Sequence, residues 1–112
     1  MNILHWVKKE NSGLVRTTFE LAKYEERLGC KVSMRTPSEQ THLYGFKGDD
    51  FDIHCIHSQI HPSYYKDGKP KILFLHGEPD YGVLNKVSTS AIMDLVPLVD
   101  AFVAFNEAEA KI

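Results

Sequence analysis

The chain has 112 residues, 43% of them hydrophobic and 25% charged, with a formal net charge of −2. Its length is that of one domain and its composition that of a globular protein with a core, which excludes a disordered, collagen-like or coiled-coil chain and a complete two-domain enzyme. Thirteen Lys and Arg against fifteen Asp and Glu leave no basic surplus for a phosphate backbone, so nucleic acid is not expected as a partner.

The N-terminus, Met1 to Val7, turns charged at Lys8 and lacks the cationic start and long apolar stretch of a secretory signal. No segment approaches the roughly 20 apolar residues that span a bilayer, so a soluble, cytoplasmic protein is expected. Cys30 and Cys55 have no CxxC spacing and are expected to be reduced. Ile3 to Val7 reads as a buried strand and Lys8 to Gly13 as the loop after it. Leu14, Leu21 and Leu28 then fall seven apart, with Val15, Phe19 and Ala22 beside them, which predicts an amphipathic helix. Asn11 or Ser12 suits its N-cap, and Gly29 suits the left-handed residue just past its end.

Lys31 to Thr36 is the second predicted strand, stopped by Pro37, and Ser38 to Asp50, with Gly45 and Gly48, reads as a long connection. Phe51 to His57, Lys71 to Leu75 and Ala101 to Phe105 are the third, fourth and fifth strands, and Thr89 to Val96 contains a helix ending near Pro97. Apolar strands separated by helices predict an α/β domain. Its expected form is a Rossmann-like, doubly wound parallel sheet of about five strands in the order 3-2-1-4-5. Ligands of such sheets bind outside the carboxyl ends of the strands, which directs attention to Lys8 to Gly13, His57 to Pro62 and His76 to Gly82.

In Asn11-Ser12-Gly13, Gly13 admits a ligand close to the backbone, and the free amides of the helix start favour a phosphate or diphosphate. GxGxxG and GxxxxGK[ST] are both absent, and an ordinary strand-to-helix turn fits these residues equally well. His76-Gly77-Glu78-Pro79 follows the fourth strand, where an imidazole either meets a sugar hydroxyl and moves a proton or simply ties the strand to its loop. His54, His57 and His61, with His76, raise zinc. His54 and His57 are three apart on a strand and point to opposite faces, so histidines lining a polar crevice are the expectation and no metal is. Asp49, Asp50 and Asp52 lack the final glutamate of a calcium loop and read as a turn. Asn106 to Ile112 opens a helix, with Asn106 as N-cap and Glu107 in its first turn, that the sequence does not finish; it is either a truncated helix or a frayed tail, and truncation is the expectation.

Taken in order, these segments resemble the N-terminal domain of GT-B-fold glycosyltransferases, particularly the retaining group called family four. The residues that carry the resemblance are Met1 to Val7, Ser12-Gly13 ahead of Glu20-Leu21-Ala22, Leu28 to Val32, Asp52 to Ser58, Pro70 to Gly77 and Asp100 to Glu107. The resemblance implies two Rossmann-like domains facing across a cleft, of which the C-terminal, donor-holding one is absent from these 112 residues. It implies that Ser12 and Gly13 approach the donor diphosphate and that His76 is the catalytic-site histidine contacting the transferred sugar. His57, Ser58, Gly77, Glu78, Asn106 and Glu107 would then line the cleft or the acceptor. It further implies a nucleotide-sugar donor, a saccharide or lipid acceptor and no metal. The resemblance leaves peripheral membrane contact open, although Lys8, Lys9 and Arg16 are too few to make a basic patch. The sequence departs from the pattern at Ser12-Gly13, where many relatives have two glycines, and at Asn106, where Ser is common.

The chain alone is therefore expected to be inactive. The strand containing Phe102, Val103 and Phe105 is expected at an open edge that favours a homodimer. A non-catalytic α/β binding or assembly module is the alternative, and a small flavodoxin-like nucleotide-binding protein the third reading.

Overall fold

The computed structural model describes residues 1–9, 12–37, 41–57, 60–75 and 94–104. β1 (Asn2–Trp6), β2 (Lys31–Arg35), β3 (His42–Gly45), β4 (Ile53–His57), β5 (Lys71–Leu75) and β6 (Ala101–Ala104) form one sheet in the order β3-β2-β1-β4-β5-β6. All neighbours are parallel except β2 and β3. The chain is thus an α/β protein whose strand order fits the Rossmann-like expectation, with six strands rather than five. The additional strand is β3, inside the segment read as a connection, and Ile53–His57, expected as the third strand, is the fourth and pairs with β1.

The parity of each strand decides its two faces, because successive side chains point to opposite sides. Ile3, Val7, Val32, Met34 and Cys55 pack on one side with Leu14 and Ala22 of α1 (Ser12–Arg27). Leu4, Trp6, Ile56 and Leu73 pack on the other with Phe51, Ile60, Tyr65 and Leu95. That second face is covered by irregular chain and by 3-10 turns at Pro62–Tyr64 and Val96–Leu98. Both runs of alternate apolar residues are buried because the sheet is covered on both sides, as parallel sheets require.

Along α1 the buried residues are Leu14, Thr18 and Ala22, while Leu28 is 84% exposed. The predicted sevenfold stripe drifts off the core because a 3.6-residue period loses about 20° per heptad. The helix also ends at Arg27, which leaves Leu28 in the turn. Past that end Gly29 has φ +93°, and the Gly29 and Cys30 amides donate to the carbonyls of Glu26 (3.0 Å) and Glu25 (3.1 Å). This pair of bonds satisfies carbonyls the helix leaves open, as expected of a glycine at that position. Of the predicted helix at Thr89 to Val96, the first five residues lie outside the described residues, and the 3-10 turn that follows contains Pro97.

Candidate functional site

The chain leaves β1 for β2 on one side and later returns to place β4 on the other, so the sheet reverses direction between β1 and β4. At such a reversal the connections diverge and open a crevice outside the carboxyl ends of the strands. Lys8 follows β1, the exposed Ser12 and Gly13 begin α1, and His57 ends β4. Among the described residues no acidic side chain occupies the first turn of α1, and the positive end of a helix dipole favours an anion. Beside this crevice an open cleft of about 390 Å³ is lined by Lys8, Ile60, His61, Asp94, Leu95 and Leu98 among others.

His57, expected at the cleft's edge, is fully buried. Odd positions of β4 face α1, and its ring stacks on Phe74 with centroids 4.5 Å apart. His57 Nε2 lies 2.7 Å from Nδ1 of His5, whose Nε2 lies 2.6 Å from Glu25 Oε1. A carboxylate only accepts, so His5 Nε2–H donates to Glu25; with both rings neutral, His57 Nε2–H then donates to His5 Nδ1. A hydrogen-bonded chain therefore runs beneath the crevice from α1 through β1 to the end of β4. The neighbouring Cys55 thiol is pushed up to about 12 by burial and by the Glu25 charge, which leaves it inert. Both cysteines are free thiols.

His54 turns to the opposite face, as the strand period dictates. The Trp6 indole Nε1–H donates to His54 Nδ1 at 2.9 Å, and His54 Nε2 lies 2.8 Å from Asp67 Oδ2. Because an indole N–H can only donate, Nδ1 carries no proton and Nε2–H donates to Asp67, which fixes His54 as the neutral Nε2–H tautomer. Burial holds the His54 pKa below its ordinary 6.5 in spite of Asp67. For Asp67 burial pushes upward. Hydrogen bonds from His54 and the Lys69 amide, with the nearby positive charges, outweigh it and hold its pKa below the ordinary 3.8.

These two shifts act in the same direction. Below pH 6.5 the unfolded chain protonates His54 while the folded one does not, so stability falls with pH until the folded-state value is passed. Asp67 adds a second loss below 3.8. One proton of difference corresponds to at most about 1.4 kcal/mol per pH unit. Urea midpoints measured from about pH 7 down to pH 5 should fall more steeply for the native sequence than for His54→Gln; equal slopes would remove His54 from the account.

Ser58, His76, Gly77, Glu78, Asn106 and Glu107, with Phe105, lie outside the described residues. Among the described residues, no group of three or more His, Cys, Asp or Glu converges as metal ligands would, and no helix is long and apolar enough to cross a membrane. Asp49, Asp50 and Asp52 form the turn into β4, where Asp52 Oδ2 accepts from the Asn2 amide at 2.7 Å. Four residues that the sequence reading passed over are central here: His5, Trp6, Glu25 and Asp67. Two were signalled. His5 has the buried parity of Ile3 and Val7, and Glu25 falls three residues beyond Ala22 on the core-facing stripe, where a carboxylate announces a partner. Comparisons with known protein families, with curated proteins and with solved structures find no match.

Proposed function

We propose that this chain is the acceptor-side, N-terminal domain of a nucleotide-sugar-dependent glycosyltransferase of the GT-B kind, which transfers a hexosyl group to a saccharide or lipid acceptor. The observation that carries the reading is the reversal between β1 and β4, with the exposed start of α1, Ser12 and Gly13, beside it. Ser12 and Gly13 there receive the donor diphosphate through backbone amides, which stabilise the negative charge that grows as the sugar leaves. His76 contacts the transferred sugar, and Ser58, Gly77, Glu78, Asn106 and Glu107 line the cleft. His57 acts from below, as part of the floor. The donor's nucleotide rests on a second domain beyond these residues, so the chain alone binds donors weakly and transfers no sugar.

The test is an amide NMR titration of the ¹⁵N-labelled chain with UDP-glucose and GDP-mannose at high millimolar concentration, followed by an assay for sugar release. Shifts concentrated at Ser12, Gly13 and Leu14 without turnover are expected. No response, shifts centred elsewhere, or robust turnover by the chain alone would each refute the reading. The burial of His57 favours one alternative, a non-catalytic binding module, which predicts a response to saccharides with none to the nucleotide at Ser12 and Gly13. Self-association is part of the proposal. β6 ends the sheet among the described residues, and Phe102 and Val103 are exposed on it.

A further inference from the structure

The sheet face opposite α1 carries a second cleft, of about 320 Å³, whose lining includes Trp6, Arg35, Asp49, Phe51, Tyr64 and Lys69. Arg35 forms part of its wall and is only 8% exposed. A guanidinium removed from water to that degree requires pairing. Its partners are the Gly48 carbonyl and Asp49 Oδ1, the latter at 3.1 Å. The Asp49 side chain, however, is 88% exposed, so solvent screens the pair and little free energy holds that carboxylate in place. Asp49 marks where an oxyanion sits on Arg35, and does so with a group that is easily displaced.

A second cation reinforces the position. Lys69 Nζ stands 3.6 Å from the Phe51 ring centroid, and its hydrogen bond goes to a neutral acceptor, the Asp49 carbonyl, at 3.0 Å. Behind it, Lys71 Nζ is held by the carbonyls of Asp67 and Lys69, with the Asp67 carboxylate at 3.5 Å. The charged lining of the cleft is Arg35 and Lys69 against Asp49 and Asp67, so displacement of Asp49 leaves one positive charge in excess, which suits a monoanion. The rest of the lining combines Asp67 and its partner His54 with the aromatic rings of Trp6, Phe51 and Tyr64, the Trp6 and Tyr64 centroids lying 5.9 Å apart. The volume lies at the lower end of ligand pockets, enough for a ligand of about one ring.

We propose that this cleft binds an aromatic monocarboxylate, whose carboxylate replaces that of Asp49 on the Arg35 guanidinium and whose ring lies against the aromatic walls. A carboxylate matches the planar fork of arginine with two parallel hydrogen bonds, a geometry that Asp49, bonded through one oxygen, does not achieve. Once displaced, Asp49 returns to water at small cost.

Benzoate is the probe, with benzyl alcohol as its neutral counterpart and phenyl phosphate as the dianionic one. The readouts are the indole N–H resonance of Trp6, the single tryptophan of the chain, and the Arg35 Nε–H resonance. Benzoate is expected to shift both with affinity in the roughly millimolar range of so small a ligand, ahead of phenyl phosphate and well ahead of benzyl alcohol. Asp49→Asn, at an exposed side chain, removes the internal competitor and should tighten benzoate roughly threefold or more, while Lys69→Gln should weaken it. The proposal is overturned by absence of a benzoate response in both the native sequence and Asp49→Asn. It is equally overturned by weaker binding in Asp49→Asn, or by benzyl alcohol or phenyl phosphate binding as well as benzoate.

Discussion

Gly45→Ala is expected to detach β3 from the sheet, at a cost of roughly 3 kcal/mol or more. Gly45 pairs with Ser33 across the β2–β3 ladder and has φ +91°, a conformation that side chains rarely adopt. A methyl group built there would collide with the Val32 carbonyl oxygen and lie 2.8 Å from Ser33 Cα. Those atoms belong to the backbone of a central strand and cannot swing aside as a flexible side chain would. The Ser33 hydroxyl, which donates to the carbonyls of Tyr44 (3.2 Å) and Phe46 (2.8 Å), would lose both acceptors together. Gly29→Ala is the internal comparison. Its φ is +93° but a methyl there meets nothing within 4 Å, so only the left-handed backbone is strained, by about 1 kcal/mol. Urea unfolding of the two variants, with hydrogen exchange at the β3 amides, separates the effects. If Gly45→Ala unfolded like Gly29→Ala with its β3 amides still protected, the steric account would be wrong.

The same strand shows why part of the fold was not legible. His42-Leu43-Tyr44-Gly45 is a four-residue edge strand with no apolar run, next to glycines that read as a connection, and its residues are only half-buried or exposed. Its pairing is set by the Ser33 hydroxyl and by contacts to α1. The Lys23 ammonium donates to the Tyr44 hydroxyl at 2.9 Å, and Phe19 meets the Tyr44 ring edge-on at 5.0 Å. None of this leaves a period in the sequence. The central strands were legible because both of their faces are buried, so their apolar runs are continuous and bounded. The C-terminal end of α1 was legible for a local reason, the glycine after Leu28, while the N-cap candidate Asn11 lies outside the described residues; Leu28 itself was misjudged because sevenfold spacing ignores helical drift.

In the site, strand parity was enough to send His54 and His57 to opposite faces. It gave no access to what each meets there, because Glu25 lies 20 residues from His5, and Asp67 lies 13 from His54 with a turn between. Partners across that distance are brought together by packing of α1 and of the 60–70 segment, which no local pattern encodes.

Trp6→Ala should be the more damaging of two substitutions at one position. Trp6 is 3% exposed in the cluster formed with Leu4, Phe51, Ile56, Ile60, Tyr65, Leu73 and Leu95, so truncation opens a cavity worth about 3–5 kcal/mol. It also removes the donor to His54 Nδ1, leaving a buried lone pair unsatisfied at about 1–3 kcal/mol. Together these approach the whole stability of a domain this size, about 5–15 kcal/mol, so the Trp6→Ala protein should be largely unfolded or marginal at room temperature. Trp6→Phe keeps most of the packing but loses the N–H together with part of the indole's volume, so its cost is an upper bound on the hydrogen bond. The Nε2–H tautomer of His54 should persist, because the Asp67 carboxylate still only accepts. Circular dichroism during urea unfolding measures both variants without relying on the tryptophan signal, and long-range ¹⁵N correlation spectra read the His54 tautomer directly. A Trp6→Phe protein as stable as the native one would mean that the indole hydrogen bond contributes nothing net. If His54 moved its proton to Nδ1, the indole rather than Asp67 would have been holding the tautomer.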